Sequence, residues 1–158
     1  MPKRPVDTYS AIQVGLHWLI VVLIVAAFLL SDQMQDFEDL PADAALPLHG
    51  RIGLTVFFLM ILRLVIRVRR GAPPPPETDP AWQRRAAHWT HWALYALAIL
   101  TPWAGGFAFY LRSETAADVH EVLKTLLLVT AALHTAAALY HQFVVKDGLL
   151  WRMNLRRS

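Results

Sequence analysis

The chain has 158 residues, 56% of them hydrophobic, with no cysteine and a formal net charge of +3. That is too apolar for an ordinary soluble domain of this size and points to an integral membrane protein, with room for four spans and no second domain. The lack of cysteine excludes disulfides, thiolate-held iron–sulfur clusters and cofactors attached through Cys-x-x-Cys-His.

Met1–Ser10 is short and polar, without the apolar core of a signal peptide, so the first apolar run is expected to be retained as a span, over about residues 10–31. Ser10-Ala-Ile-Gln13 has the form of a capping box at its start. Gln13 and His17 are the polar interruptions within the run. Ser31 to Pro47 is acidic and reads as a loop with room for a short surface helix. A second span is expected over about 48–69, opening with His49 and Arg51 and closing with Arg63, Arg67, Arg69 and Arg70. Gly71-Ala-Pro-Pro-Pro-Pro76 cannot continue a helix and makes a stiff connector.

The third span, about 85–111, opens with His88, Trp89, His91 and Trp92. Thr101-Pro102 and Gly105-Gly106 lie inside it, where a kink and a close helix contact are expected. Arg112 to Asp118 reads as a tight polar turn. The fourth span, about 119–145, carries His120, His134 and His141 and precedes a basic tail with Trp151. Its 27 residues make a helix about 40 Å long, enough for a bilayer core of about 30 Å.

Charge sets an expected orientation. Twelve of the fifteen basic residues fall at the N-terminus, around the connector after the second run and in the tail. The opposite side holds Arg51, Arg112 and Lys124 and eight of the twelve acids. By the positive-inside rule both termini are cytoplasmic. The basic balance is thus a matter of topology, and no nucleic-acid partner is expected.

This orientation gives each histidine a depth. His17 and His134 fall on the inner side; His49 and His120 fall in the first turns entered from the outer face. His120 and His134 are fourteen residues apart, which returns them to within about 40° of one helix face and separates them by about 21 Å. Each layer therefore offers two imidazoles from two helices, an arrangement suited to bis-histidine ligation of a haem in a bundle core. The plainer reading is that these histidines are hydrogen-bonded or interfacial residues. Ionisable groups are costly inside a span, however, and two matched layers favour the functional reading.

His88 and His91 form an i, i+3 pair that reads as the lining of a polar pocket or a headgroup contact near the inner layer; either could instead replace an inner ligand. His141 lies two turns beyond His134 on nearly the same face, with Lys146 and Asp147 close by. It is placed to hydrogen-bond a quinone carbonyl and to exchange a proton. Arg51, Arg112 and Lys124 could neutralise haem propionates or attract a small anion; contact with lipid phosphate is an equal alternative.

The ordered set of motifs resembles the bacterial cytochrome b561 family, which includes the superoxide oxidases. It consists of His17-Trp18, His49-Gly50, Arg63-Leu-x-x-Arg67, Ala87-His88-x-x-His91, His120-Glu121, Leu133-His134-x-Ala-Ala-Ala-Leu-x-His141 and Lys146-Asp147, and so covers essentially the whole chain. The resemblance implies an all-α, four-helix bundle in the bacterial inner membrane with two b haems stacked across it, one held by His17 and His134 and the other by His49 and His120. It also implies ubiquinone as electron acceptor, and superoxide or another periplasmic donor as electron source. The turn from Arg112 to Asp118 is shorter than the outer loop the superoxide oxidases imply. Two alternatives are an anchor subunit that links a dehydrogenase or hydrogenase to quinone, and a non-redox transporter whose histidines bind a labile metal ion.

Overall fold

The structure, a computed structural model, describes residues 9–31, 41, 44–75 and 79–153. Its four long helices are α1 (Ala11–Leu29), α2 (Leu48–Arg70), α3 (Ala81–Leu111) and α4 (Glu114–Tyr140). A π-helical turn, His141–Val145, and a 3₁₀ turn, Leu149–Met153, follow α4. The acidic loop falls almost wholly outside the described residues, and so does the helix expected there.

Helix ends follow from local chemistry. At the start of α1 the capping box is formed: the Gln13 amide donates to Ser10 Oγ at 3.4 Å, and the Ser10 amide donates to Gln13 Oε1 at 3.1 Å. The Gln13 side-chain amide also donates to the Gly71 carbonyl at 3.1 Å, tying the start of α1 to the end of α2. Gly71 ends α2 with φ +81°, a left-handed conformation that glycine adopts without strain. Helix α3 begins at Ala81, four residues earlier than expected, immediately after Pro80, and runs unbroken through Pro102. The turn into α4 is only Arg112 and Ser113. Arg112 is left-handed, Ser113 caps the Ala116 amide at 3.2 Å, and Glu114 is already helical. The expected polar turn over Arg112–Asp118 is therefore mostly the first turn of α4.

Consecutive helices pack on one another, α1 on α2, α2 on α3 and α3 on α4. The core is a narrow seam of Ile20, Val56, Met60, Tyr95, Ala98 and Leu127. Around it the usual order of a soluble protein is inverted. Gln13 and Thr101 are buried at 6% and 7% exposure, whereas Phe58 and Leu133 are 62% and 66% exposed. Apolar side chains facing outward in this way match hydrocarbon, not water, as the surrounding solvent. Helices α1 and α3, and the continuous segment Glu114–Val145, are each long and apolar enough to cross a membrane. At 23 residues α2 is about 35 Å long, enough to span as well, although it carries five arginines.

The inward faces repeat at intervals of three and four residues, as helices packed along a shared seam require. On α2 this face runs His49, Ile52, Val56, Met60, Arg63, Arg67; on α4 it runs His120, Leu127, His134 and continues to His141 in the π-helical turn. The helices thus present a histidine to the bundle at each end of one apolar seam.

Candidate functional site

At the end of the bundle that the charge distribution assigns to the outer side, His49 projects from α2 and its Nδ1 hydrogen-bonds the Ala27 carbonyl of α1 at 2.8 Å. His120 projects from α4 and its Nδ1 hydrogen-bonds the Thr101 carbonyl of α3 at 2.7 Å. A carbonyl can only accept, so Nδ1 carries the proton in each ring, and in the neutral imidazole Nε2 keeps its lone pair. Tying one ring nitrogen to a backbone carbonyl is the usual way a ligand histidine is oriented. The two ring centroids lie 6.2 Å apart. Two imidazoles on opposite sides of one metal, each with a metal–nitrogen bond of about 2 Å and about 1.1 Å from nitrogen to ring centre, give a separation of about 6.3 Å. The donor chemistry and the spacing both fit an axial pair.

Gly105 makes this placement of His120 feasible. A Cβ on Gly105 would lie 2.8 Å from His120 Nδ1 and 2.9 Å from Cε1, inside any normal contact distance. The expected close helix approach at Gly105-Gly106 is thus present at Gly105. At Gly106 a Cβ would meet nothing within 4 Å. The Thr101 hydroxyl beside this contact is buried without a hydrogen-bond partner.

At the inner end three half-buried imidazoles gather. His134 of α4 packs edge-on against His91 of α3, with centroids 5.2 Å apart, and His17 of α1 lies within electrostatic reach of both. The His88/His91 pair is thereby divided. His91 joins the inner layer, while His88 is exposed against Trp89 and Trp92. Two arginines of α2 complete this end. Arg63 donates to the Tyr95 hydroxyl at 3.2 Å and to the Gln13 carbonyl at 3.0 Å, and Arg67 stacks over Trp92 and Tyr95. Counted from sequence among the cytoplasmic charges, these two side chains lie at that end of α2, half-buried against α1 and α3. Their signal was the spacing Val56, Met60, Arg63, Arg67, which continues the buried face of α2.

Beyond the inner layer, His141 Nδ1 donates to Asp147 Oδ2 at 2.5 Å, while Asp147 Oδ1 accepts from the Leu149 amide at 2.9 Å. Partial burial pushes the Asp147 carboxyl up, but the hydrogen bonds from His141 and Leu149, with the charges of His141 and Arg152, hold it below its ordinary value of 3.8. The tail returns across this face. The Trp18 indole donates to the Met153 carbonyl at 3.0 Å, and Arg152 donates to the Pro74 carbonyl at 2.8 Å. Of the outer cations, Lys124 pairs with Glu121 at 2.6 Å, Arg112 donates to the Pro41 carbonyl at 2.8 Å, and Arg51 is exposed.

A family model described as prokaryotic cytochrome b561 matches residues 8–154. The chain belongs to that family. It is accordingly a multi-pass membrane cytochrome that carries electrons with b-type haem. Among its relatives is the probable superoxide oxidase CybB of Yersinia pestis, 28% identical, with 92% of this chain and 94% of that protein aligned. Cytochrome b562 of Cereibacter sphaeroides is 31% identical over the same shares of the two chains. Cytochrome b561 homolog 1 of Escherichia coli K12 is 31% identical, covering 96% of this chain and 99% of that one.

Proposed function

We propose that this cytochrome b561-family protein holds two b haems and passes electrons from a periplasmic donor, superoxide, to ubiquinone in the bacterial inner membrane. His49 and His120 hold the outer haem through Nε2, and His17 and His134 hold the inner one. The observation that carries this reading is the outer pair: two imidazoles from different helices, each anchored through Nδ1, with ring centroids 6.2 Å apart. The inner pair rests on depth, since His17 and His134 lie within electrostatic reach of each other at the opposite end of the same seam.

Bound haem supplies the one-electron chemistry, and the chain contributes ligation, burial and position. Its apolar seam keeps water from the path between the layers. At the inner face, Asp147 fixes the His141 ring through Nδ1 and leaves Nε2 free; when the ring is protonated, Nε2–H donates to a quinone carbonyl and passes its proton to the reduced oxygen, to be replaced from the aqueous side. The charge distribution supports an orientation in which this face and both termini are cytoplasmic. The redox stoichiometry closes: two superoxide ions each give one electron and become dioxygen, and ubiquinone takes two electrons and two protons to become ubiquinol. Superoxide as donor is supported by the name of the Yersinia pestis relative.

The test is anaerobic reconstitution in ubiquinone-loaded liposomes followed by pulses of superoxide. Haem reduction and ubiquinol formation are expected, and His141→Ala should slow ubiquinol formation by at least about tenfold while keeping the haem content. Superoxide pulses that reduce neither haem nor quinone would remove the proposed donor.

A further inference from the structure

Arg63 and Arg67 sit one turn apart on the inward face of α2, at the level of the inner histidines. Arg63 donates to the Tyr95 hydroxyl and Arg67 lies over the Tyr95 ring, one turn of α3 from His91, and Arg63 is also within electrostatic reach of His17 and His134. A guanidinium does not lose its proton at any physiological pH, so both charges are permanent. Charges inside a span normally find a counter-charge. Among the described residues neither of these does: the ion pairs there are Lys124 with Glu121 and His141 with Asp147. Arg63 is held by a phenol and a carbonyl. Arg67 has only the faces of Trp92 and Tyr95, at 5.9 and 5.6 Å from the ring centres. The outer layer differs. Its Lys124 is neutralised, and Arg51 and Arg112 are exposed where water screens them.

We infer that Arg63 and Arg67 set the reduction potential of the inner haem, raising it above that of the outer one and so drawing the electron toward the quinone side. The inference rests on the dihaem reading above. Reducing a ferric haem with two neutral axial imidazoles removes a positive charge, so fixed cations beside it favour the reduced state. A half-buried unit charge about 10 Å away, in a medium of effective permittivity about 20, changes such an equilibrium by roughly tenfold. The aromatic faces suit this role because they hold the guanidinium groups in place without cancelling their charge.

The experiment is an anaerobic optical redox titration of the detergent-solubilised holoprotein, with dithionite as reductant, for the unsubstituted chain and for Arg67→Gln, Arg63→Gln and Arg67→Lys. The inner haem is identified as the spectral component missing in His134→Ala. Each glutamine variant is expected to lower the inner midpoint by about tenfold in equilibrium, about 59 mV for one electron, and to leave the outer midpoint unchanged. Arg67→Lys should retain most of the unsubstituted value, since it keeps the charge. The Arg67 side chain donates no hydrogen bond to a described residue, so its variants test charge without dismantling a polar contact. Two haems per chain with both midpoints unmoved in the glutamine variants would overturn this inference alone, as would a fall in Arg67→Lys equal to that in Arg67→Gln. Fewer than two haems in the unsubstituted protein would overturn the reading beneath it.

Discussion

Replacing Gly105 with alanine is expected to cost the protein its outer haem although no ligand is touched. The added methyl would sit 2.8 Å from His120 Nδ1, and that ring cannot swing away freely because the same nitrogen is bound to the Thr101 carbonyl at 2.7 Å. Either α3 and α4 separate, at a cost of about 1–3 kcal/mol for overpacking, or the imidazole leaves its carbonyl, forfeiting about 0.5–1.5 kcal/mol and its orientation. Both outcomes shift the His120 ring relative to His49, 6.2 Å away between centroids. Pyridine haemochrome quantification should therefore fall from two haems per chain to about one, with helix content by circular dichroism unchanged. Gly106→Ala is the control. Its Cβ would meet nothing within 4 Å, so haem should be retained, with a gain of about 0.5–1 kcal/mol from helix propensity. Full haem content in Gly105→Ala would show that the contact does not position the outer site.

His134→Ala should have the opposite pattern and the larger functional effect. It removes an inner ligand, so one haem per chain remains, reducible by the outer donor, while ubiquinol formation falls by at least about a hundredfold because the electron has no inner carrier. His91→Ala is the informative companion. At 5.2 Å the His91 and His134 centroids are closer than the roughly 6.3 Å of a ligand pair facing each other across one metal. With His17 and His134 as the proposed pair, the His91 alanine variant should keep two haems. If His91→Ala lost a haem and His17→Ala did not, the inner pair would be His91 with His134.

The four helices were legible because length, hydropathy and the punctuation at Gly71 and the four prolines after it all agreed. The outer pair was legible because His49 and His120 each open a span, so depth alone brings them to one level. The inner layer was less so. Whether His88 or His91 turns inward depends on the rotation of α3, and that helix starts at Ala81, where the apolar pattern is weak and Trp82 is exposed. Its start placed His91 ten residues into the helix, on the face of Tyr95, Ala98 and Thr101. Charge counting placed Arg63 and Arg67 at the cytoplasmic end of α2 and said nothing of their rotation; the heptad-like spacing with Val56 and Met60 turns them toward the seam. Nothing in the sequence signals the bond from Trp18 to Met153. It joins residues 135 positions apart in the chain and exists only because the tail folds back over the inner face.

The central claim is that two histidine pairs hold two haems. Its most direct test is the reduced-minus-oxidised visible spectrum of the detergent-purified, unsubstituted protein, with haem and chain quantified on the same sample. The account predicts a b-type α band and two haems per chain, as two bis-imidazole sites require. A colourless protein, or one that binds a single haem when fully loaded, would contradict it.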